Sequence, residues 1–106
     1  MLVDDILGVA GIPYRKTRFL KPQTGNYIVY NDSIETDGGD YEILLYHHTI
    51  TAELYTASPA PDVEQLLEDA FAENGVHFEK EEAFWIQEEQ RYQTIYEFSY
   101  HEKRRA

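Results

Sequence analysis

Cysteine is absent from the 106-residue chain, which excludes disulfides and thiolate metal centres and leaves the redox compartment open. Also missing is any apolar run near the roughly 18 residues that a membrane span requires, so no membrane partner is expected. Basic residues are scarce: 9 Lys and Arg face 20 Asp and Glu, a formal net charge of −11. That balance argues against specific nucleic-acid binding, which usually needs a basic face. The stretch MLVDDILGVAG has acids where a secretion signal has bases, so export by that route is not expected and an intracellular, soluble protein is. What remains is one domain, residues 1–106, long enough to bury a single core.

The few bases are clustered. Arg15, Lys16, Arg18 and Lys21 lie in a segment free of acids between Asp5 and Asp32, and Lys103, Arg104 and Arg105 follow much later. Acids dominate in between. Solubility alone accounts for such acidity; the functional alternative is a surface that meets a basic partner or lines a passage for a polyanion. Aromatics are plentiful at 14%, which suits sheets and protein interfaces.

The clearest element is Ser58 to Gly75. Val63, Leu66, Leu67, Ala70 and Phe71 share one stripe of a helix, and Glu64, Glu68, Asp69 and Glu73 fill the wet side. Pro59 and Pro61 suit its first turn, Asp62 and Glu64 complement its dipole, and Gly75 supplies the left-handed stop. A short helix over Met1–Ala10, ended by Gly11, precedes it in the chain. Between them, Tyr14–Leu20 reads as an edge strand guarded by bases, and Tyr27–Ile34 as a second strand. Asp37-Gly38-Gly39-Asp40 reads as a hairpin turn. Tyr41–Tyr55 is the longest strand, with Leu44, Tyr46, His48, Ile50, Ala52 and Leu54 on one apolar face. Val76–Ile86 and Tyr92–Tyr100 form a hairpin turning at Gln87–Gln90. Lys80 and Glu82 interrupt the apolar face of Val76, Phe78, Phe84 and Ile86, which a bulge or a projecting strand end explains. The order α-β-β-β-α-β-β predicts an α+β two-layer sandwich: a mostly antiparallel sheet of about five strands with two helices on one face.

No motif announces chemistry. His47 and His48 are strand neighbours and point to opposite faces, so they do not converge on one ion; His48 reads as a core histidine with one hydrogen bond. His77 and Glu79 share a strand face but lack further ligands. The carboxylate pairs Glu81–Glu82 and Glu88–Glu89 sit in charged, turn-like sequence, unlike acids whose surroundings push their pKa values apart. Ser33, Ser58 and Ser99 lack a nucleophile elbow, and neither a P-loop nor a dinucleotide glycine fingerprint occurs. Two interaction candidates survive: the basic segment Arg15, Lys16, Arg18 and Lys21 as a docking edge, and Trp85, expected on the outward face opposite Phe84 and Ile86, as a possible anchor of an interface.

Arg18-Phe19-Leu20-Lys21-Pro22-Gln23, followed by Tyr27-Ile28-Val29-Tyr30, resembles small tail-completion proteins of long-tailed bacteriophages and of prophages in Gram-positive bacteria. Glu53-Leu54-Tyr55-Thr56 before the helix, Glu73-Asn74-Gly75-Val76 after it and the closing Tyr92–Phe98 strand extend the similarity over nearly the whole chain. Pro-Gln-x-x-x-Tyr-Ile-Val-Tyr is the most specific piece. The resemblance implies a tail terminator: an α+β protein forming a ring, usually a hexamer, on the head-proximal end of the tail tube. There it would stop tube growth and meet the head connector, with DNA passing through unbound and with neither catalysis nor cofactor. Its place would be the virion's tail–head junction after assembly in the host cytoplasm. The chain is short for a terminator, so a related neck or head-closure role stays open. The rival from composition is an acidic inhibitor, such as an antitoxin, immunity protein or DNA mimic that masks a basic partner.

Overall fold

Strict alternation along the longest strand decides which face of the sheet is covered. His48, Ile50, Ala52, Leu54 and Thr56 are buried while Thr49, Thr51, Glu53 and Tyr55 are only partly so, the period of a strand with one face on a core. A computed structural model describes residues 2–21, 23–37 and 43–105. In chain order these form α1 (Leu2–Leu7), a 3-10 turn (Gly8–Ala10), β1 (Tyr14–Lys16), β2 (Tyr27–Asp37), β3 (Ile43–Thr56), α2 (Pro61–Glu73), β4 (Phe78–Lys80), β5 (Phe84–Ile86) and β6 (Arg91–Arg105). The fold is α+β, a mixed but mostly antiparallel six-stranded sheet with two helices; the order is the anticipated α-β-β-β-α-β-β, with the first strand after α2 split into β4 and β5. Strands run β1-β2-β3-β6-β4, and β5 pairs with β6 beside β4. Only the β1–β2 pair is parallel among the described strands. No helix among the described residues is long and apolar enough to cross a membrane.

Both helices press on the same face. Val3, Ile6 and Leu7 of α1 and Leu67, Ala70 and Phe71 of α2 close over Ile28, Ile50, Ala52, Leu54, Tyr96 and Phe98. Each such large side chain contributes roughly 1.5–3 kcal/mol by leaving water. Pro61 opens α2 at its first residue, while Pro59 lies outside it. The far end closes as the glycine foretold. Gly75 takes φ 66°, and the N–H groups of Gly75 and Val76 donate to the carbonyls of Ala72 and Phe71 at 3.1 and 2.9 Å, the two bonds of a Schellman stop. Gly11 ends the first helical segment in the same left-handed way, with φ 69°.

Three expectations need correction. First, β1 ends at Lys16 rather than Leu20, because Thr17 turns left-handed at φ 71°. Second, the Val76–Ile86 stretch is two strands, which raises the count from about five to six. Lys80 pairs with Tyr96 and Phe84 with Gln93, so four steps on one strand match three on the other. That extra residue is a bulge, and it swaps the faces of everything after it. Phe84 therefore joins the open face, and Trp85, paired with Tyr92, lies on the helix side and not on the outward face. Lys80, which seemed to spoil the apolar face, reaches up from it to Glu64 and Glu68 of α2, both at 2.9 Å. Third, Leu66 leaves the stripe: it is 46% exposed. Of the anticipated turn at Asp37–Asp40, residues 38–40 lie outside the described residues.

β6 also runs past Tyr100, staying paired with β3 as far as Ile43↔Arg105. Among the described residues, β1 partners β2 only at Ile28–Tyr30 and β4 partners β6 only at Tyr96–Phe98. Beyond those points the sheet narrows to β2, β3 and β6, which continue as a three-stranded arm in a molecule 49 × 29 × 21 Å.

Candidate functional site

The turn at Thr17 shapes the most unusual surface. Thr17 N–H donates to the Tyr30 carbonyl and Arg18 N–H to the Lys16 carbonyl, each at 2.8 Å, so the chain reverses within three residues. A positive φ at a β-branched residue is strained by on the order of 1–3 kcal/mol. The strain redirects residues 18–21 off the strand and across the open face of the sheet. Leu20 is left 88% exposed, while Phe19 folds back edge-on to Tyr27 (5.5 Å, 78°), which stacks on Tyr55 (4.8 Å, 20°). Register places Tyr27 and Tyr55 opposite each other on adjacent strands, the closest cross-strand relation.

Arg91 clamps the loop above them. Its Nη2 donates to the carbonyls of Gln23, Thr24 and Gly25 at 3.1, 2.8 and 3.2 Å, and its guanidinium lies 5.4 Å from the Tyr27 ring centre. Charge-assisted bonds to several carbonyls hold a loop that has no secondary structure of its own. The resulting groove, about 530 Å³, is lined by Arg18, Phe19, Leu20 and Lys21 together with Tyr27, Tyr55, Glu53 and Glu89. Aromatic rings, bases and acids all meet in it.

The anticipated docking residues are partly brought together. Arg18 and Lys21 line the groove. Arg15 stands beside it on the outer face, its guanidinium 5.6 Å from the Phe19 ring, whereas Lys16 is opposite Tyr30 on the helix side. Trp85 is remote: β2, β3 and β6 separate its strand from β1. It remains substantially exposed, edge-on to Tyr92 with Nε1 donating to Gln87. Sequence reasoning missed Tyr27 and Tyr55, which line the groove, and Arg91, which holds the loop beside it. The odd-numbered alternation of β2, β3 and β6 would have put all three on one face.

A second cluster lies on the helix side at the base of the arm. His48 is buried, with Nδ1 at 3.0 and 2.9 Å from the two Asp32 carboxylate oxygens and Nε2 at 3.0 Å from Glu102 Oε1. Tyr100 stacks on the imidazole at 4.6 Å and 6°. A neutral imidazole has a single N–H, so bonding both acids takes an imidazolium or one protonated carboxyl. His48 is thus the expected core histidine, but with two acid partners instead of one bond; β2, β3 and β6 each contribute one member. His47 points the other way and stacks on His101 at 4.5 Å. His77 precedes β4 and so shares no strand with Glu79. No group of three or more candidate ligands for a metal ion occurs among the described residues.

Burial, together with the Glu53 carboxylate it donates to, pushes the Tyr55 phenol up to about 12. Burial and the nearby Asp32 and Glu102 do the same to Tyr100, whose hydroxyl is buried without a partner among the described residues. Burial and its bond to Glu68 raise Tyr96 as well. In the unfolded chain a phenol ionises near pH 10. The folded state therefore holds these protons longer: the stability this confers is complete below about pH 10, the Tyr55 and Tyr100 share is lost between about pH 10 and 12, and the Tyr96 share at higher pH still. Phenolate absorbance is expected to rise for these three only as near-UV circular dichroism collapses. Their ionisation near pH 10 in an intact fold would contradict the burial described.

No protein-family model matches the chain, and no curated protein matches its sequence.

Proposed function

We propose that this protein is a structural, ring-forming tail terminator that caps a phage or prophage tail tube at the tail–head junction, meeting the tube protein on one side and the head connector on the other. The observation that carries this reading is the groove under the Thr17 turn. A short edge strand gives way to a strained basic segment with Leu20 fully presented beside an aromatic floor. Backbone strain is retained where a surface is used, and Leu20 next to the Phe19, Tyr27 and Tyr55 rings forms a contiguous apolar patch that fits a protein partner. The sheet offers two unlike edges, as head-to-tail contacts of a ring require. The acidic remainder suits a passage through which DNA slides, because like charge avoids the affinity that counterion release gives a basic wall. The resemblance of residues 18–30 to tail-completion proteins supports the same reading, without catalysis or cofactor.

Adding the protein to polymerising tail tube protein is the direct test, with tube length read by electron microscopy. The expected result is shorter, capped tubes bearing a ring at one end. Tubes of unchanged length with a tight one-to-one complex to a basic protein would instead make it an acidic inhibitor. The triple reversal Arg15→Glu/Lys16→Glu/Arg18→Glu is expected to leave the circular dichroism and melting curve intact, since all three side chains are exposed. It should weaken capping by tenfold or more, as read from the concentration needed to halve tube length. Equal capping by the triple variant would remove this edge from the docking surface.

A further inference from the structure

The arm has two bare edges, and they are complementary. Among the described residues nothing pairs with β2 from Asn31 to Asp37 on the side away from β3, or with β6 from Ser99 to Arg105 on the side away from β3. The two stretches are equal in length and overlap across β3 with an offset of two residues: Ser33, Thr49 and Ser99 form one row, Glu35, His47 and His101 another, and Asp37 is level with Lys103. Unpaired backbone of this length is a template for a further strand.

Their side chains differ in sign. The outer-face row of β2 carries Glu35, and the sequence puts a further acid, Asp37, two positions on. The outer-face row of β6 carries His101 and Lys103, with a further base, Arg105, two positions on. On the helix side the β2 edge holds Ile34, a large apolar residue left 47% exposed where no helix covers the arm. We infer that the arm edges are a subunit contact: β6 of one copy pairs with β2 of the next, acidic row against basic row. This rests on the ring reading above and names the surface that closes it.

Direction and symmetry follow from the topology. β2 and β6 are each antiparallel to β3 and so run the same way; a head-to-tail junction between copies is therefore a parallel pair. A two-fold dimer would put β2 against β2 or β6 against β6, acid facing acid or base facing base, which cross-strand electrostatics oppose. The charge pattern thus selects the heterologous contact, the kind that closes into rings. Ile34 is covered by the same pairing.

Two reversed chains test the inference, Glu35→Lys/Asp37→Lys and Lys103→Glu/Arg105→Glu, each compared with the natural chain by sedimentation velocity up to millimolar concentration. The natural chain is expected to assemble with increasing concentration, and each variant, folded by circular dichroism, to stay monomeric. Mixed in equal amounts, the variants present a basic β2 edge to an acidic β6 edge and the reverse. Assembly is expected to return in the mixture alone, with at least a tenfold gain in apparent association over either variant. A natural chain that stays monomeric overturns the contact, as does assembly unaffected by either reversal or absent from the mixture. Rings that ignore the reversals yet cap tubes would leave the terminator reading standing with another interface. Rings that obey the reversals but cap no tube would keep the contact and remove that reading.

Discussion

His48→Leu is expected to destabilise the protein by about 3 kcal/mol, the upper end for leaving a buried polar group without its hydrogen-bond partner. Asp32 is the reason. Its side chain is only 4% exposed and its oxygens meet His48 Nδ1, so leucine leaves a carboxylate facing an apolar group without water. Glu102 is 29% exposed on its side chain and can recover solvent, so Glu102→Gln should cost far less, on the order of 1 kcal/mol. The double variant His48→Leu/Asp32→Leu holds no stranded charge and should regain most of the loss. Urea unfolding monitored by circular dichroism gives all three values. A His48→Leu chain within about 0.5 kcal/mol of the original would mean that the cluster does not hold the arm. The loss should also be local first: amide protection in Asn31–Asp37 and Ser99–Arg105 should fall before that of the core, because these residues have no helix over them to share the load.

The sequence alone gives no hint of Asp32 and Glu102 as the partners of His48. Alternation put His48 on the covered face, and there the reading stopped, because partners sixteen and fifty-four positions away depend on strand order and register. The same holds for the arm as a whole. Residues 101–105, His-Glu-Lys-Arg-Arg, have poor strand propensity, and they are extended only because β3 offers a ladder for them. By contrast, whatever follows from local chemistry was legible. The glycine stop at Gly75, the alternation of β3, the turn at Gln87–Gln90 and the element order all rest on φ preference and period. The break in Val76–Ile86 was visible too, as a fault in the pattern. Its consequence for Trp85 was not, since a single inserted residue changes the face without altering composition. Thr17 is a further case: threonine favours strands and its N–H keeps the ladder bond to Tyr30, yet a tight turn closed by Arg18 N–H on the Lys16 carbonyl ends the strand there. The groove that carries the functional reading therefore depends on a residue that local preference places wrongly.

Within α2, the apolar stripe read from the sequence holds two residues of unequal fate, Phe71 and Leu66. Phe71 is fully buried, its ring 4.6 Å from Phe78, 4.9 Å from Phe98 and 5.7 Å from Tyr96. Phe71→Ala removes the ring on which three others lean and is expected to cost about 3–5 kcal/mol. Leu66→Ala looks equally severe from the spacing, yet should fall within about 0.5 kcal/mol of the original, as exposed positions do. The physical cause is the roll of the helix. Glu64 and Glu68 are drawn toward the sheet by Lys80, and Glu68 also accepts the Tyr96 hydroxyl at 2.9 Å. Drawing that acidic flank inward turns the opposite flank, with Leu66, toward solvent. Lys80→Met keeps the stem but drops the charge, and so it separates the two contributions. If ion pairing sets the roll, that variant should let Leu66 bury, and a subsequent Leu66→Ala should then cost roughly 1 kcal/mol or more. Should Leu66→Ala stay neutral in both backgrounds, the packing of Leu67, Ala70 and Phe71 alone fixes the helix, and the acids merely follow it.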